Sequence, residues 1–436
     1  MITYSKIGKK GNLGNQLFQI ASTIGLATRN KQDFSFPDWK YQKYFKNSLP
    51  LLELNPSNFE GVEEKEYNWH EWNLENKNYD VSGWLQSEKY FDRELTKQYF
   101  RFNENVVESV KLKYQEVLQK RTILLSIRRG DFVNHTDYFQ LPIKYYMNAL
   151  LHFFPEWESC NLIVLSDDIN YCKFHFSFLE NAFFGDGLTE IEQLCLGTLC
   201  DDFIISNSTF SWWSAWLGEK KDSKVIRPLK NFDGLKALEL NDKDYYPERW
   251  TVYNHLDNKI KLESTIFKVD FKKNSKILEN YLLNYFDVPV LVNEDTKQQN
   301  EKIYVFKKEY ILPPLLLYYS WKKLDFLNEN IVFNNVQKVF KVSKKLNYKE
   351  FLLQSDFGLF SKIFSFSSFN KKYSRLDVFV KRNLSVAIKG EEENFVINTP
   401  AGKFCTIGGY EFSFRKLIRK EKIKIKKRIK KLLRKK

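Results

Sequence analysis

Residues Gly11–Asn30 read GNLGNQLFQIASTIGLATRN. The opening turn combines glycines with Asn and Gln side chains, and an amphipathic helical pattern follows at once. Leu17, Ile20, Ala21, Ile24 and Leu26 recur at the spacing of one helix face. Just upstream lies a β-rich run, ITYSKIG (Ile2–Gly8). Strand, glycine loop and helix form the first unit of an alternating α/β chain.

The same order of signals recurs as far as residue 256. Apolar runs appear at TILLSI (Thr122–Ile127), NLIVLS (Asn161–Ser166), DFIISN (Asp202–Asn207) and KVIRP (Lys224–Pro228). Helical patterns lie between them, at Tyr145, Ala149 and Leu150 and at Trp212, Ala215 and Trp216. Continuous apolar strands separated by helices predict parallel sheets covered on both faces. In such sheets ligands sit at the carboxyl ends of strands, in the loops that lead into helices.

Three strand ends carry chemistry. In LLSIRRGDFV (Leu124–Val133) an apolar strand runs into Arg128 and Arg129. A guanidinium fork binds phosphate oxygens bidentately and keeps its charge; an Arg–Asp pair tying down the loop is the plainer reading. In ISNSTFSWWSAWLG (Ile205–Gly218) a strand ends at Asn207, Ser208 and Thr209, and a helix begins near Ser211. Free N–H groups and hydroxyls at a helix N-terminus suit an anion, or Ser208 or Thr209 simply caps the helix. Trp212, Trp213 and Trp216 read as core. In VLSDDINYCKF (Val164–Phe174), Asp167 and Asp168 follow a strand. They suit a metal, a ribose or base edge, or the cap of the next helix.

Bulk composition sets the outer limits. An apolar content of 43% and 17% aromatic residues belong to a folded chain. Five cysteines without CxxC spacing point to reduced thiols in a cytoplasmic setting, not to a disulfide framework or a zinc site. MITYSKIGKK lacks the apolar core of a signal peptide. The lipophilic run ILPPLLLYYSW (Ile311–Trp321) is about half as long as a membrane-spanning helix and holds two prolines. The net charge of +15 is unevenly spread: residues 1–256 hold 30 Lys+Arg against 35 Asp+Glu, and residues 257–436 hold 39 against 19. The basicity therefore belongs to the C-terminal part, rich in Lys, Asn, Phe and Tyr, with strand patterns at EKIYVFKKEYIL and SRLDVFVKR and a turn signal at NTPAG (Asn398–Gly402). Arg415–Lys436 holds 14 Lys+Arg and one Glu, with Ile418, Ile425, Ile429 and Leu432 mostly at helical spacing. It reads as a basic amphipathic helix for an anionic bilayer surface, as a solvated tail, or as a nucleic-acid arm without a recognisable module beside it.

Taken in order, the motifs of residues 1–256 resemble the bacterial α-1,2-fucosyltransferases, the inverting family 11 glycosyltransferases. GNLGNQLFQIA is similar to that family's Gly-Gly-Leu-Gly-Asn-Gln-x-Phe-Gln signature, and SGWLQSEKYF (Ser82–Phe91) to its Gly-aromatic-x-Gln-Ser-x-x-Tyr-Phe. SIRRGDF is similar to the His-x-Arg-Arg-x-Asp motif shared with α-1,6- and protein O-fucosyltransferases. LSDDINYCK, SNSTFSWWSAWLG, VIRPLKNF (Val225–Phe232) and YYMNAL (Tyr145–Leu150) complete the set. Two positions depart from the pattern: Ser126 stands where the family has His, and Asn12 replaces the second glycine.

The resemblance implies an α/β, GT-B-type fold of two Rossmann-like halves with a nucleotide-sugar cleft. Residues 1–118 would be the acceptor-side half with the Gly-Asn-Gln loop, and 119–256 the GDP-fucose-binding half. Residues 257–413 would be a C-terminal extension, and 414–436 the basic tail. It implies transfer of L-fucose from GDP-β-L-fucose to the 2-hydroxyl of a terminal galactose, with no metal. Asn15 would approach the pyrophosphate or fucose, with Gln16 there or buttressing the loop. Arg129 would clamp the β-phosphate with Arg128 beside it. Asn207, Ser208, Thr209, Phe210 and Ser211 would hold the phosphates and nucleoside, and Asp167 and Asp168 would touch ribose or guanine. An inverting displacement benefits from a base near the attacking hydroxyl; Asp131, His135 and Asp137 are the candidates, and Asp131 could instead orient Arg129. The expected setting is cytoplasmic, peripheral on the inner membrane face through Arg415–Lys436, on a lipopolysaccharide or related surface glycan.

Other readings make different demands. A protein O-fucosyltransferase would carry a signal peptide and disulfides. A nucleic-acid binder would be basic on its folded half, whereas the motif-bearing half is net acidic. A nicotinamide dehydrogenase needs GxGxxG, which GNLGNQ is not. An inactive glycan-binding or scaffold protein would have no need of Asn15, Arg129 and the Ser208–Ser211 run.

Overall fold

The computed structural model describes residues 1–133, 135–177, 179–256, 258–269, 275–293, 302–306, 313–323, 331–334, 355–360, 396–399 and 402–405. The chain divides into two compact units, residues 1–169 with 183–256, and residues 170–182 with 257–436.

The first unit contains two parallel α/β sheets, the Rossmann-like halves expected of a GT-B-type chain. The first half runs β1 (Ile2–Thr3), α1 (Leu13–Arg29), β2 (Phe34–Ser35), β3 (Glu60–Glu63), β4 (Tyr79–Ser82), α2 (Arg93–Tyr99) and α3 (Glu104–Lys113). Its sheet has the order β2-β1-β4-β3 with every pair parallel. The expected Ile2–Gly8 strand stops at Thr3, because the chain turns at once: Ile7 N–H donates to Tyr4 O, and Gly8 and Gly11 both have positive φ.

In chain order the second half runs β5 (Thr122–Ile127), α4 (Ile143–Phe153), β6 (Asn161–Ser166), α5 (Ile169–Phe176), which from residue 170 is grouped with the second unit, β7 (Ala182–Phe184), α6 (Glu190–Thr198), β8 (Asp202–Ile205), α7 (Thr209–Gly218), β9 (Val225–Pro228) and, after a one-turn helix at Lys236–Glu239, β10 (Thr251–Tyr253). Its sheet has the order β10-β9-β8-β5-β6-β7, parallel from β10 through β6. All six residues of β5 are buried, as a strand covered on both faces requires. α6 begins with a capping box in which Thr189 and Glu192 satisfy each other's backbone N–H groups.

The two halves share a core. Phe18 of α1 packs on Trp212 and Trp213 of α7, with ring centroids 4.5 and 5.0 Å apart, and Phe91 stacks on Trp213. On α7 each indole N–H has an acceptor: Trp212 donates to Tyr245 O, Trp213 to Gly14 O and Trp216 to Glu88 Oε2. Full burial of one such side chain contributes about 1.5–3 kcal/mol, so this cluster fixes α1 against α7 firmly. Gly14 lies at the contact. A Cβ there would sit 2.6 Å from both Phe210 N and Thr209 Oγ1, so only glycine lets the two helix N-termini meet. Cys160, Cys195 and Cys200 are buried, and burial pushes the Cys195 thiol up to about 12.

The second unit has a mixed five-stranded sheet. Its strands lie in the order Val290–Val292, Thr265–Val269, Lys302–Phe306, Ser355–Phe360 and Ile331–Asn334. The first three are parallel and the last two join antiparallel. Helices Ser275–Tyr285 and Pro314–Lys323 belong to the same unit. Lys302–Phe306 is the strand expected in EKIYVFKKEYIL, and strands Val396–Thr399 and Gly402–Cys405 pair antiparallel around the NTPAG signal. SRLDVFVKR and the basic segment Arg415–Lys436 lie outside the described residues. Among the described residues no helix is long and apolar enough to cross a membrane.

Candidate active site

A cleft of about 350 Å³ opens in the first unit, where the carboxyl ends of strands from both halves meet. The first half contributes Asn12–Asn15, Tyr67, Trp84 and Gln86. The second contributes Ser126–Arg128, Asp131, Asp167, Glu190, Gln193, Asn207–Ser211 and Asn231.

Two helices point their N-termini into this cleft, α1 from Leu13 and α7 from Thr209. Each presents unpaired N–H groups and the positive end of a helix dipole, which favours an anion. Ser208 caps α7 by accepting from Phe210 N–H. Beneath it runs a chain of hydroxyls: Ser126 Oγ and Ser206 Oγ each lie 2.7 Å from Ser211 Oγ. Ser126, where the resemblance expects His, thus pairs with α7.

The two arginines at the end of β5 diverge. Arg128 lines the cleft. Its guanidinium reaches Asp167 Oδ2 at 3.0 Å and Asp131 Oδ1 at 2.5 Å, and its Nε is buried without a partner. Arg129 does not line the cleft; its Nε donates to Asp168 Oδ2 at 3.2 Å, and its backbone N–H donates to Asp167 Oδ1 at 2.9 Å. Neighbouring side chains at a strand end face opposite ways. The sequence expectation gave the clamp to Arg129 and support to Arg128; the geometry gives the cleft to Arg128.

The remaining expected residues have distinct surroundings. Asn15 Oδ1 accepts from Gln86 Nε2 at 2.7 Å, which leaves the Asn15 amide nitrogen as a donor. Gln16 buttresses the loop, donating to Gly11 O and accepting from Trp39 Nε1. Asn207 Nδ2 donates to Phe139 O and Asn231 O and so ties loops together. Asp131 is well exposed at the rim, whereas His135 and Asp137 lie outside the lining, with His135 Nδ1 accepting from Asp137 N–H. Asp167 and Asp168 are both engaged by the arginine pair.

Sequence reasoning missed several lining residues. Glu190 and Gln193 sit one turn apart on α6, and Glu190 accepts from the Tyr41 hydroxyl. Tyr67 donates to Gln86 Oε1 at 2.6 Å and accepts from Asn231 Nδ2 at 3.2 Å. Asn15, Gln86, Tyr67 and Asn231 therefore form one line of side chains along the cleft wall. Trp84 and Gln86 lie within the quoted SGWLQSEKYF motif, a signal that was present; nothing in the spacing marks Tyr67 or Glu190.

Behind Trp84, Glu64 accepts the N–H groups of Trp84 at 2.7 Å and Leu85 at 3.0 Å. Burial pushes its carboxyl up to about 7, against the pull of those two N–H groups and of Lys10.

A cleft that offers an arginine and two helix N-termini to one ligand has the chemistry of a phosphate site. The family model described as Glycosyl transferase family 11 matches residues 4–254. The chain is 28% identical over 177 residues to an alpha-1,2-colitosyltransferase of Escherichia coli, covering 38% of this chain and 60% of that protein. It is 33% identical over 137 residues to the O-antigen biosynthesis glycosyltransferase WbnK of Escherichia coli, covering 29% and 45%. It thus spans about half the length of the curated relatives it matches. Among solved structures it is similar to the fucosyltransferase NodZ from Bradyrhizobium, at 11% identity and a TM-score of 0.34 over 49% of this chain and 91% of that one. So distant a likeness carries no argument. The family match spans more than half of the chain, and the chain belongs to glycosyl transferase family 11.

Proposed function

We propose that this chain is an inverting glycosyltransferase that moves L-fucose from GDP-β-L-fucose to the 2-hydroxyl of a terminal galactose, in an α-1,2 linkage and without a metal. The observation that carries the reading is the convergence of Arg128 with the N-termini of α1 and α7 on one cleft. When the glycosidic bond breaks, negative charge builds on the departing β-phosphate. Fixed donors aimed at that charge lower the barrier without reorganising. In this reading Arg128 and the N–H groups of Thr209 and Ser211 meet the phosphates. The Asn15 amide donates nearby, and Glu190 and Gln193 face the nucleoside.

The base is assigned to Asp131. A diphosphate at Arg128 competes with Asp131, whose side chain is 69% exposed against 27% for Asp167. Once released, Asp131 stands at the cleft rim to take the proton of the attacking hydroxyl. His135 and Asp137, outside the lining, are the alternatives. The acceptor we assign is a surface glycan of the lipopolysaccharide type, in line with the O-antigen relative. We assign Arg415–Lys436 to an anionic membrane face on its charge alone.

The name of the alpha-1,2-colitosyltransferase relative favours a second reading, a donor carrying colitose, the 3-deoxy counterpart of fucose. One experiment separates them. The purified protein, in EDTA, is offered GDP-fucose, GDP-colitose, GDP-mannose and UDP-galactose, with and without N-acetyllactosamine, and the product linkage is read by NMR. Acceptor-stimulated GDP release from GDP-fucose with an α-1,2 product supports the first reading. Preference for GDP-colitose moves the chain to the second, and release from UDP-galactose alone rejects both.

A further inference from the structure

Apart from Gln86, the motif SGWLQSEKYF has no role in nucleotide binding as described above, yet it supplies part of the cleft wall. Its backbone is unusual. Gly83 has φ +145°, and Leu85, a residue with a side chain, has φ +53°. Such a conformation persists only where the surroundings over-determine it, and it clusters at ligand sites. Here it is held on every side. Glu64 takes the N–H groups of Trp84 and Leu85, the Tyr4 hydroxyl donates to Gly83 O, and the Ser22 hydroxyl donates to Leu85 O. A Cβ on Gly83 would lie 2.4 Å from Glu64 Cβ, so the loop and its carboxylate fit only with glycine.

What this effort presents is the Trp84 indole. It is half-buried and lines the cleft from the first half. Of the other half-buried aromatics of the lining, Phe132 and Tyr138 stack on each other at 4.0 Å, and Phe210 lies in the first turn of α7 at the phosphate end. Trp84 stacks on no other ring among the described residues; Lys10 Nζ lies 4.4 Å from its centroid. Two residues on, Gln86 fixes the amide of Asn15.

We propose that Trp84 is the platform for the acceptor's terminal sugar, and that this sugar is a pyranose with a continuous apolar face, as in galactose. The proposal rests on the glycosyl-transfer reading given above and adds the acceptor subsite to it. The phosphates are assigned to Arg128 and the N-termini of α1 and α7; Trp84, a half-buried lining aromatic that those contacts leave unused, is given to the acceptor. The axial 4-hydroxyl of galactose leaves C3–H, C4–H, C5–H and C6 together on one side. Those polarised C–H groups meet the negative face of an indole, and burying them against it removes apolar surface from water. Glucose, with an equatorial 4-hydroxyl, offers a smaller patch. Trp84 thereby discriminates between the 4-epimers, and the Glu64 clasp keeps the ring fixed when the acceptor arrives.

The test is steady-state kinetics of the whole chain with GDP-fucose against galactoside and glucoside acceptors, in wild type, Trp84→Ala and Trp84→Phe. Trp84→Ala is expected to raise the galactoside KM about tenfold, to move the GDP-fucose KM by less than about twofold, and to erode the galactoside preference. Trp84→Phe, which keeps an aromatic face, is expected to restore most of the loss. An unchanged galactoside KM in Trp84→Ala, or donor and acceptor KM rising together, overturns the proposal. Should Trp84→Ala fail to fold, Lys10→Ala is read in its place, with a smaller rise in the same KM expected and no change counting against. A second readout needs no turnover: saturation-transfer NMR of methyl β-galactoside on wild type and Trp84→Phe, expected positive, and negative results on both overturn the proposal. Wild type that releases GDP while Trp84→Ala behaves normally sinks only the platform; wild type inert toward every nucleotide sugar sinks the transferase reading itself.

Discussion

Glu64 shows how one side chain links loop geometry to pH. Its carboxylate holds the N–H groups of Trp84 and Leu85, and burial has moved its titration up to about 7 from 4.5, with Lys10 and the phenols of Tyr4, Tyr67 and Tyr90 around it. Between those two values the folded chain holds a proton that the unfolded chain has released. The stability it contributes is full below 4.5 and is lost as pH rises through about 7. The melting temperature of wild type is therefore expected to fall relative to Glu64→Gln between about pH 5 and about pH 8; parallel curves would count against the assignment. At this scale the sequence was partly readable. Asn15, Arg128, Asp131, Asp167 and Ser208–Ser211 lie in the connections after strands or in the first turns of the helices that follow, and the cleft collects them. Which of two adjacent arginines faces the cleft depends on the twist at the end of β5, which residue type does not encode. Tyr67, Glu190 and Asn231 come from a loop, a helix start and a turn whose meeting is a matter of tertiary packing alone.

At the scale of elements, the meeting of α1 and α7 carries most of the argument. Gly14 and Trp213 make it possible, the one by lacking a side chain and the other by donating to Gly14 O. Gly14→Ala must push backbone against backbone at Thr209 and Phe210, a cost of about 1–3 kcal/mol for overpacking. A lower melting temperature is expected together with weaker GDP binding by calorimetry; full GDP affinity in a stable variant would mean that the helix junction is not the phosphate site. Strands β5 and β6 match their apolar runs residue for residue, because both are covered on two faces and need continuous apolar sequence. β2, β3 and β4 escaped notice. They have two to four residues: β3 reads EGVE, with neither an apolar run nor an alternation, and the alternation of β4, YDVS, is only one residue pair repeated. Their place is set by pairing with β1 and with one another, not by local preference.

For the whole molecule, charge and chemistry divide along the chain. The first unit has the cleft and the family match, and residues 257–436 have the excess of Lys and Arg. If Arg415–Lys436 serves an anionic surface, its removal is expected to shift the protein from pelleting with anionic vesicles to the supernatant, since each basic residue near such a surface contributes about 1 kcal/mol. Unchanged partitioning would assign the tail elsewhere. Transfer chemistry in the cleft is expected to survive that deletion, as among the described residues no part of the lining comes from beyond Tyr245. The claim on which the rest depends is that Arg128, not Arg129, meets the charge developing on the leaving diphosphate. The measurement is the rate of GDP release from GDP-fucose with a galactoside, in EDTA, for wild type, Arg128→Ala and Arg129→Ala. Loss of a donor aimed at that charge is expected to slow Arg128→Ala by at least about 100-fold, with Arg129→Ala affected less. Arg128→Ala turning over at the wild-type rate, or Arg129→Ala alone being inactive, would contradict it.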